Sequence, residues 1–150
     1  MADQKLDAVL LFAQESMYWL TGYDTFGFCF FQCLVVTADG RKVLLTRSAD
    51  QRQARHTSNI SDIRIWIDLP DASPVGQLKD LLFGMDLLGA KIGIEYDTHG
   101  MTGKIGIEIN AELSEVDARR FVLRLGGMSL SSKATLVGKL AAGSEDWIEP

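Results

Sequence analysis

Residues 28–37 are apolar at both alternating sets of positions: Phe28, Phe30, Leu34 and Val36 on one, Cys29, Phe31, Cys33 and Val35 on the other. A strand with one wet face alternates, whereas a run with no polar face needs cover on both sides. This run therefore predicts a central strand sandwiched between two layers. Ala38-Asp39-Gly40 supplies a turn, and residues 42–46 return as an antiparallel partner, so an early hairpin is expected. At 11 residues, the apolar stretch 26–36 is broken by Gly27 and Gln32 and is far shorter than the ~20 residues of a membrane-spanning helix.

The rest of the chain alternates strand and helix signals. Residues 7–12 form a short β-type apolar run, followed by a two-turn helix over residues 14–20 that Thr21-Gly22 ends. Ser48 is expected to cap a helix running to His56, and residues 63–67 read as a strand. After Ser73, Pro74 fits a first helical turn, and Leu78, Leu81, Leu82 and Met85 recur at helical spacing, with Gly89 as the stop. Residues 91–95 predict a strand, 102–113 a helix, and 113–116 a last short strand. The expected fold is α/β: a three-layer α/β/α sandwich around a mixed sheet of five or six strands. The domain is expected to span residues 1–125, with residues 126–150 a linker or tail containing a marginal helix over 133–142.

Composition narrows the partners. The 150 residues carry a formal charge of −5, so nucleic acid is not expected, because phosphate binding rests on clustered Lys and Arg. Arg47, Arg52, Arg55 and His56 recur at helical spacing around Asp50 and read as a solvated helix face, with Arg47 and Trp66 serving surface packing. The start of the chain shows no basic segment leading into an apolar run, so a cytoplasmic location is the expectation. Cys29 and Cys33, four apart in an extended strand, are too distant to bridge and read as reduced core thiols.

Met17-Tyr-Trp-Leu-Thr-Gly-Tyr23 resembles the creatinase/prolidase N-terminal domain, whose members carry a Tyr-Leu-Thr-Gly-Phe/Tyr segment after the first strand. Leu6-Asp-Ala-Val-Leu-Leu11, Leu44-Leu-Thr-Arg47 and Ile92-Gly-Ile-Glu95 occur in that family's order, and the resemblance covers residues 6–125. Tyr23-Asp-Thr-Phe-Gly-Phe28 and Tyr96-Asp-Thr-His99 look like the branch of Xaa-Pro peptidases and ectoine-type hydrolases. The resemblance implies a ribonuclease H-like fold and, in relatives, a separate pita-bread catalytic domain. There two Asp, one His and two Glu hold two divalent metals (Mn, Zn or Co) that polarise a carbonyl and supply hydroxide. The 25 residues after position 125 are too few for that domain, so neither catalysis nor a metal is expected in this chain.

The same resemblance implies a homodimer in which the loop after the Leu-Thr-Gly turn reaches the rim of the partner's active site. Tyr23, Asp24, Phe26 and Phe28 are the residues expected to shape that site. Where creatinase places a Phe and, two residues on, an Arg toward a carboxylate, this chain has Phe28 and Phe30. Loss of that charge-assisted partner points away from creatine and toward an apolar or cyclic group such as a prolyl ring. Relatives have a helix before the first strand, whereas six residues precede Asp7 here, which predicts exposed apolar surface and self-association.

Two alternatives remain at this level. A stand-alone small-molecule binding module would use a pocket near Phe26 or His99. A small hydrolase would use Asp97 and His99 at the end of a strand, although Asp97 or Thr98 capping the next helix explains those residues more simply. Gly100, Gly103-Lys104 and Gly106 lack phosphate-loop spacing, and Ser16, Ser48 and Ser58 lack a nucleophile-elbow context.

Overall fold

The computed structural model describes residues 6–67, 69–70, 72–87, 89–114 and 121–122. The elements run β1 (Ala8–Leu11), α1 (Gln14–Thr21), a 3-10 turn (Phe26–Cys29), β2 (Cys33–Thr37), β3 (Lys42–Arg47), α2 (Ser48–Thr57), β4 (Asp62–Trp66), α3 (Pro74–Gly84), β5 (Ile92–Ile94), α4 (Gly103–Ser114) and β6 (Phe121–Val122). The six strands lie in the order β4-β3-β2-β1-β5-β6. β1, β2 and β3 are antiparallel neighbours, with Leu10 opposite Val35 and Val35 opposite Val43, while β4, β5 and β6 join in parallel. The sheet is mixed because β2 alone runs against its neighbours: α1 and the loop after it bring the chain back beside β1, a tight turn at Gly40 (φ +87°) reverses it again into β3, and helices carry the later crossovers.

Period-two alternation divides the core. Val9, Leu11, Leu34, Val36 and Leu44 face one side, where they pack with Met17 of α1 and Ala54 of α2. Ala8, Leu10, Cys33, Val35, Val43 and Leu45 face the other, against Val75, Leu78 and Leu82 of α3 and Ile109 and Leu113 of α4. The expected three-layer sandwich is thus the observed one. Each fully buried Leu, Ile or Val contributes roughly 1.5–3 kcal/mol, and both sheet faces draw on that supply. Cys33 lies in this interior, and burial pushes its thiol well above the usual range.

Helix α3 begins as its sequence predicts: Ser73 Oγ accepts from Gly76 N–H at 3.0 Å, and Pro74 occupies the first turn. It ends at Gly84, five residues before Gly89, which takes φ +76° in the following turn instead of closing the helix. Ser48 does not cap α2; Arg47 holds the cap position without a side-chain cap bond. Helix α4 runs through Leu113 to Ser114, so the short strand expected at 113–116 does not start there, and β6 lies at Phe121–Val122. Residues 126–150, with the linker and helix expected in them, lie outside the described residues.

The central strand begins later than its apolarity suggests, at Cys33 instead of Phe28. β1 stops pairing at Leu11 opposite Leu34, because the next amide, Phe12 N–H, turns to Glu95. Residues 26–29 satisfy their backbone locally: Thr25 Oγ1 accepts from Gly27 N–H at 2.9 Å, and Phe30 N–H donates to Gly27 O at 3.0 Å. Cys29 is therefore exposed, not a core thiol. Trp66 is also inside, donating from Nε1 to Phe31 O at 3.0 Å and meeting the Phe31 ring edge-on at 6.3 Å. Among the described residues no helix is long and apolar enough to cross a membrane.

Candidate functional site

The loop 24–30 follows helix α1 and leads into β2. Its entry is a buried post. Tyr23 is fully enclosed, its hydroxyl donating to Gln32 Oε1 at 2.9 Å and lying 3.4 Å from Thr46 Oγ1, while Gln14 Nε2 donates to Tyr23 O at 2.7 Å. Burial raises the Tyr23 hydroxyl above the usual tyrosine pKa, so it stays a neutral donor. Tyr23 shapes the loop from beneath. Asp24, Phe26 and Phe28 are at the surface, and Phe26 is 89% exposed against 45% for Phe28 and 46% for Phe30.

A polar brace holds the loop against α2. Asp50, buried in the first turn of that helix, accepts from Thr25 Oγ1 at 2.9 Å and from Arg47 Nε and Nη2 at 3.1 and 3.0 Å. The Arg47 guanidinium in turn lies over the Phe30 ring at 3.4 Å from its centroid. Arg47 is thus part of the brace, not of a solvated basic face, whereas Arg52, Arg55 and His56 are exposed. Gly27 is required by proximity: a Cβ there would stand 2.5 Å from Asp50 Oδ1 and 2.6 Å from Oδ2. Gly27→Ala must push the carboxylate off Thr25, and we expect a loss of about 1–2 kcal/mol in urea titration. Combined with Asp50→Asn it should cost less than the two single changes together, since both break one brace. Strict additivity would mean that the contact does not act through Asp50.

Asp97 and His99 are both exposed, in the loop after β5. Neither Asp97 nor Thr98 caps α4. That helix starts at Gly103, where Thr102 Oγ1 accepts from Ile105 N–H at 3.3 Å, and Thr98 Oγ1 is buried with no hydrogen-bond partner. Gly100 presses the loop onto the end of β1, because a Cβ there would stand 2.9 Å from Phe12 O. His99 and Gly100 line an open cleft of about 170 Å³ together with Phe28 and with Ala13, Gln14 and Glu15 at the start of α1. The structure brings His99 to Phe28; Asp97 does not line that cleft. Among the described residues no three His, Cys, Asp or Glu side chains gather to hold a metal.

Glu95 was not marked by its sequence as more than the end of a strand, yet it organises this end of the sheet. It is buried, and its Oε2 accepts from Phe12 N–H and Ala13 N–H at 3.0 and 2.9 Å while Oε1 accepts from Ser16 Oγ at 2.7 Å. Helix α1 has no side-chain cap bond from its own cap residue, Ala13. Glu95, directly after the neighbouring parallel strand, instead holds the chain entering α1 and the Ser16 hydroxyl of its first turn. Its only linear signal is position: an acid directly after a strand that is to lie beside β1.

The arrangement has relatives. Residues 1–122 match the model of the creatinase/prolidase N-terminal domain. No curated protein sequence matches the chain. Among solved structures, an X-Pro aminopeptidase from Thermotoga maritima superposes with a TM-score of 0.59 at 16% identity, over 79% of this chain and 31% of that one. A dipeptidase from Pyrococcus horikoshii gives 0.61 at 20% identity, over 87% and 32%. An Xaa-Pro aminopeptidase from Streptococcus pyogenes gives 0.57 at 22% identity, over 77% and 78%. This chain thus spans about a third of the length of the first two, and the likeness to all three is one of fold. With the family model matched over residues 1–122, the chain belongs to the creatinase/prolidase N-terminal domain family.

Proposed function

We infer that this chain is a non-catalytic docking and substrate-shaping domain for a metal-dependent Xaa-Pro peptidase-type hydrolase. Residues 1–125 form the domain and 126–150 the linker or tail. The observation that carries this reading is Phe26, 89% exposed on a loop whose base is fixed by a buried Asp50–Arg47–Thr25 brace. Because the backbone that carries this side chain is already fixed, a partner covering it has only the side chain's own rotamer left to order. The partners in this reading are a pita-bread catalytic domain, which would carry the Mn, Zn or Co pair, and a second protomer, in the cytoplasm. Arg47, the cation beside the loop, is engaged by Asp50 and Phe30, which favours an apolar or prolyl group over a substrate carboxylate.

The test fuses the full chain to a pita-bread catalytic domain and follows hydrolysis of a dipeptide ending in proline. We expect Phe26→Ser to lower kcat/KM about tenfold, the effect of losing one interfacial aromatic, without changing the melting temperature of the unfused chain. The fusion should be dimeric in light scattering and inactive toward creatine. Full activity in the Phe26→Ser fusion, undiminished creatine hydrolysis, or a concentration-independent monomer would each count against the reading.

The stand-alone binding module draws support from one separate observation, the cleft between Phe28 and His99. It needs no second domain.

A further inference from the structure

We propose that the free edge of β4 pairs with β4 of a second copy of this chain, antiparallel and centred on Ile63, so that two sheets join into one. Among the described residues β4 stands at the end of the sheet order, paired with β3 on one side and with no strand on the other. An edge strand keeps alternate backbone N–H and C=O groups pointing outward, and another strand is the natural partner for them. Ile67 and Leu69, each 60% exposed, continue the chain past β4 and extend the apolar surface that a second copy would cover.

The charges on this edge select the chain itself as the partner. Asp62 and Arg64 lie on one face of β4 and meet each other at 2.6 Å, Nε to Oδ1, with both side chains open to water. In an antiparallel pair related by a two-fold axis, residues opposite each other share a face, so the strand meets its copy about a single residue. With Ile63 at that centre, Asp62 of each copy stands opposite Arg64 of the other. Ile63, half-buried on the other face, then stands opposite itself. Moving the centre by one residue sets Asp62 against Asp62 or Arg64 against Arg64. Edge charges of one sign would repel every copy, whereas this pair rejects the two neighbouring registers and fits one. Exchanging an exposed ion pair within a chain for one between chains costs little.

The experiment follows the full, unfused chain by sedimentation equilibrium across about 10 µM to 1 mM, since a short strand on each side makes a smaller interface than tight dimers have. The parent should pass from monomer to dimer, with amide exchange at Asp62–Trp66 slowing as the dimer forms. Asp62→Arg and Arg64→Asp should each weaken the dimer about tenfold or more, because each sets like charges opposite one another twice; both side chains are exposed, so both variants fold. Mixed in equal amounts, the two variants should recover the parent's dimer, since every like-charge pair then becomes an opposite-charge one. Phe26→Ser should leave the dimer unchanged. A parent that stays monomeric throughout, single variants that dimerise as the parent does, a mixture that stays monomeric, or a dimer lost in Phe26→Ser overturns the proposal. Because the measurement uses this chain alone, its failure leaves the docking reading standing, and a fusion whose hydrolysis ignores Phe26 leaves the strand pairing standing.

Discussion

Glu95→Ala is expected to lower the free energy of unfolding by about 3–4 kcal/mol, measured by urea titration. The change strands two backbone N–H groups, on Phe12 and Ala13, and the Ser16 hydroxyl, all in the interior beside the start of α1. Each buried donor left without an acceptor costs roughly 1–3 kcal/mol, and water entering the space left by the side chain recovers part of the sum. Glu95→Gln keeps one acceptor oxygen for the two amides and offers an NH2 to Ser16 Oγ, so about 1–2 kcal/mol is expected there. Ser16→Ala removes donor and hydroxyl together and should cost least. If Glu95→Ala lies within 1 kcal/mol of the parent, α1 is anchored by its apolar face alone, and the organising role given to Glu95 is wrong.

Glu95 also marks where the linear sequence stops being informative. Local signals were legible: Ser73-Pro74 caps α3, Thr21-Gly22 ends α1, and Gly40 turns the first hairpin. So was the division of β2, where Leu34 and Val36 go to one core and Cys33 and Val35 to the other. Both kinds of inference rest on contacts within a few residues or on a fixed period. The loop 24–30 defeated that logic, because alternating aromatics carry a strand signal while the brace comes from Asp50 and Arg47, about twenty residues further on. In the sequence Asp50 looks like an interruption in a basic run; in space it sets the loop that presents Phe26. Cap positions failed for the same reason. Ser48 has the right chemistry for a cap and does not act as one, whereas the entry to α1 is held by a residue 82 positions from Ala13. Of the residues proposed for the site, Asp24, Phe26 and Phe28 stand at the surface, and Tyr23 is buried beneath the loop that carries them.

The Leu-Thr-Gly turn that carries the family resemblance yields the second large effect, and here two glycines allow conformation to be separated from contact. Gly22 takes φ +78° at the end of α1, its N–H donating to Tyr18 O at 2.7 Å. A Cβ at this position would stand 2.8 Å from the backbone oxygen of Thr57, at the end of α2. That oxygen cannot swing aside, because the segment is tied down on both sides: Ser58 N–H donates to Ala54 O at 3.1 Å and Asn59 N–H to Thr21 O at 2.9 Å. Gly89 has nearly the same backbone, φ +76°, but open space where its Cβ would be. Gly89→Ala should therefore cost only the left-handed conformation, about 1 kcal/mol. Gly22→Ala should cost about 3 kcal/mol, the excess coming from forcing the ends of α1 and α2 apart. Since Asp24 N–H donates to Thr57 Oγ1 at 3.1 Å, the same displacement should loosen the loop 24–30, seen as faster amide exchange at Asp24 in Gly22→Ala and not in Gly89→Ala. Equal losses in the two variants would show that the turn is selected for its dihedral angle alone, with no part in seating the loop on α2.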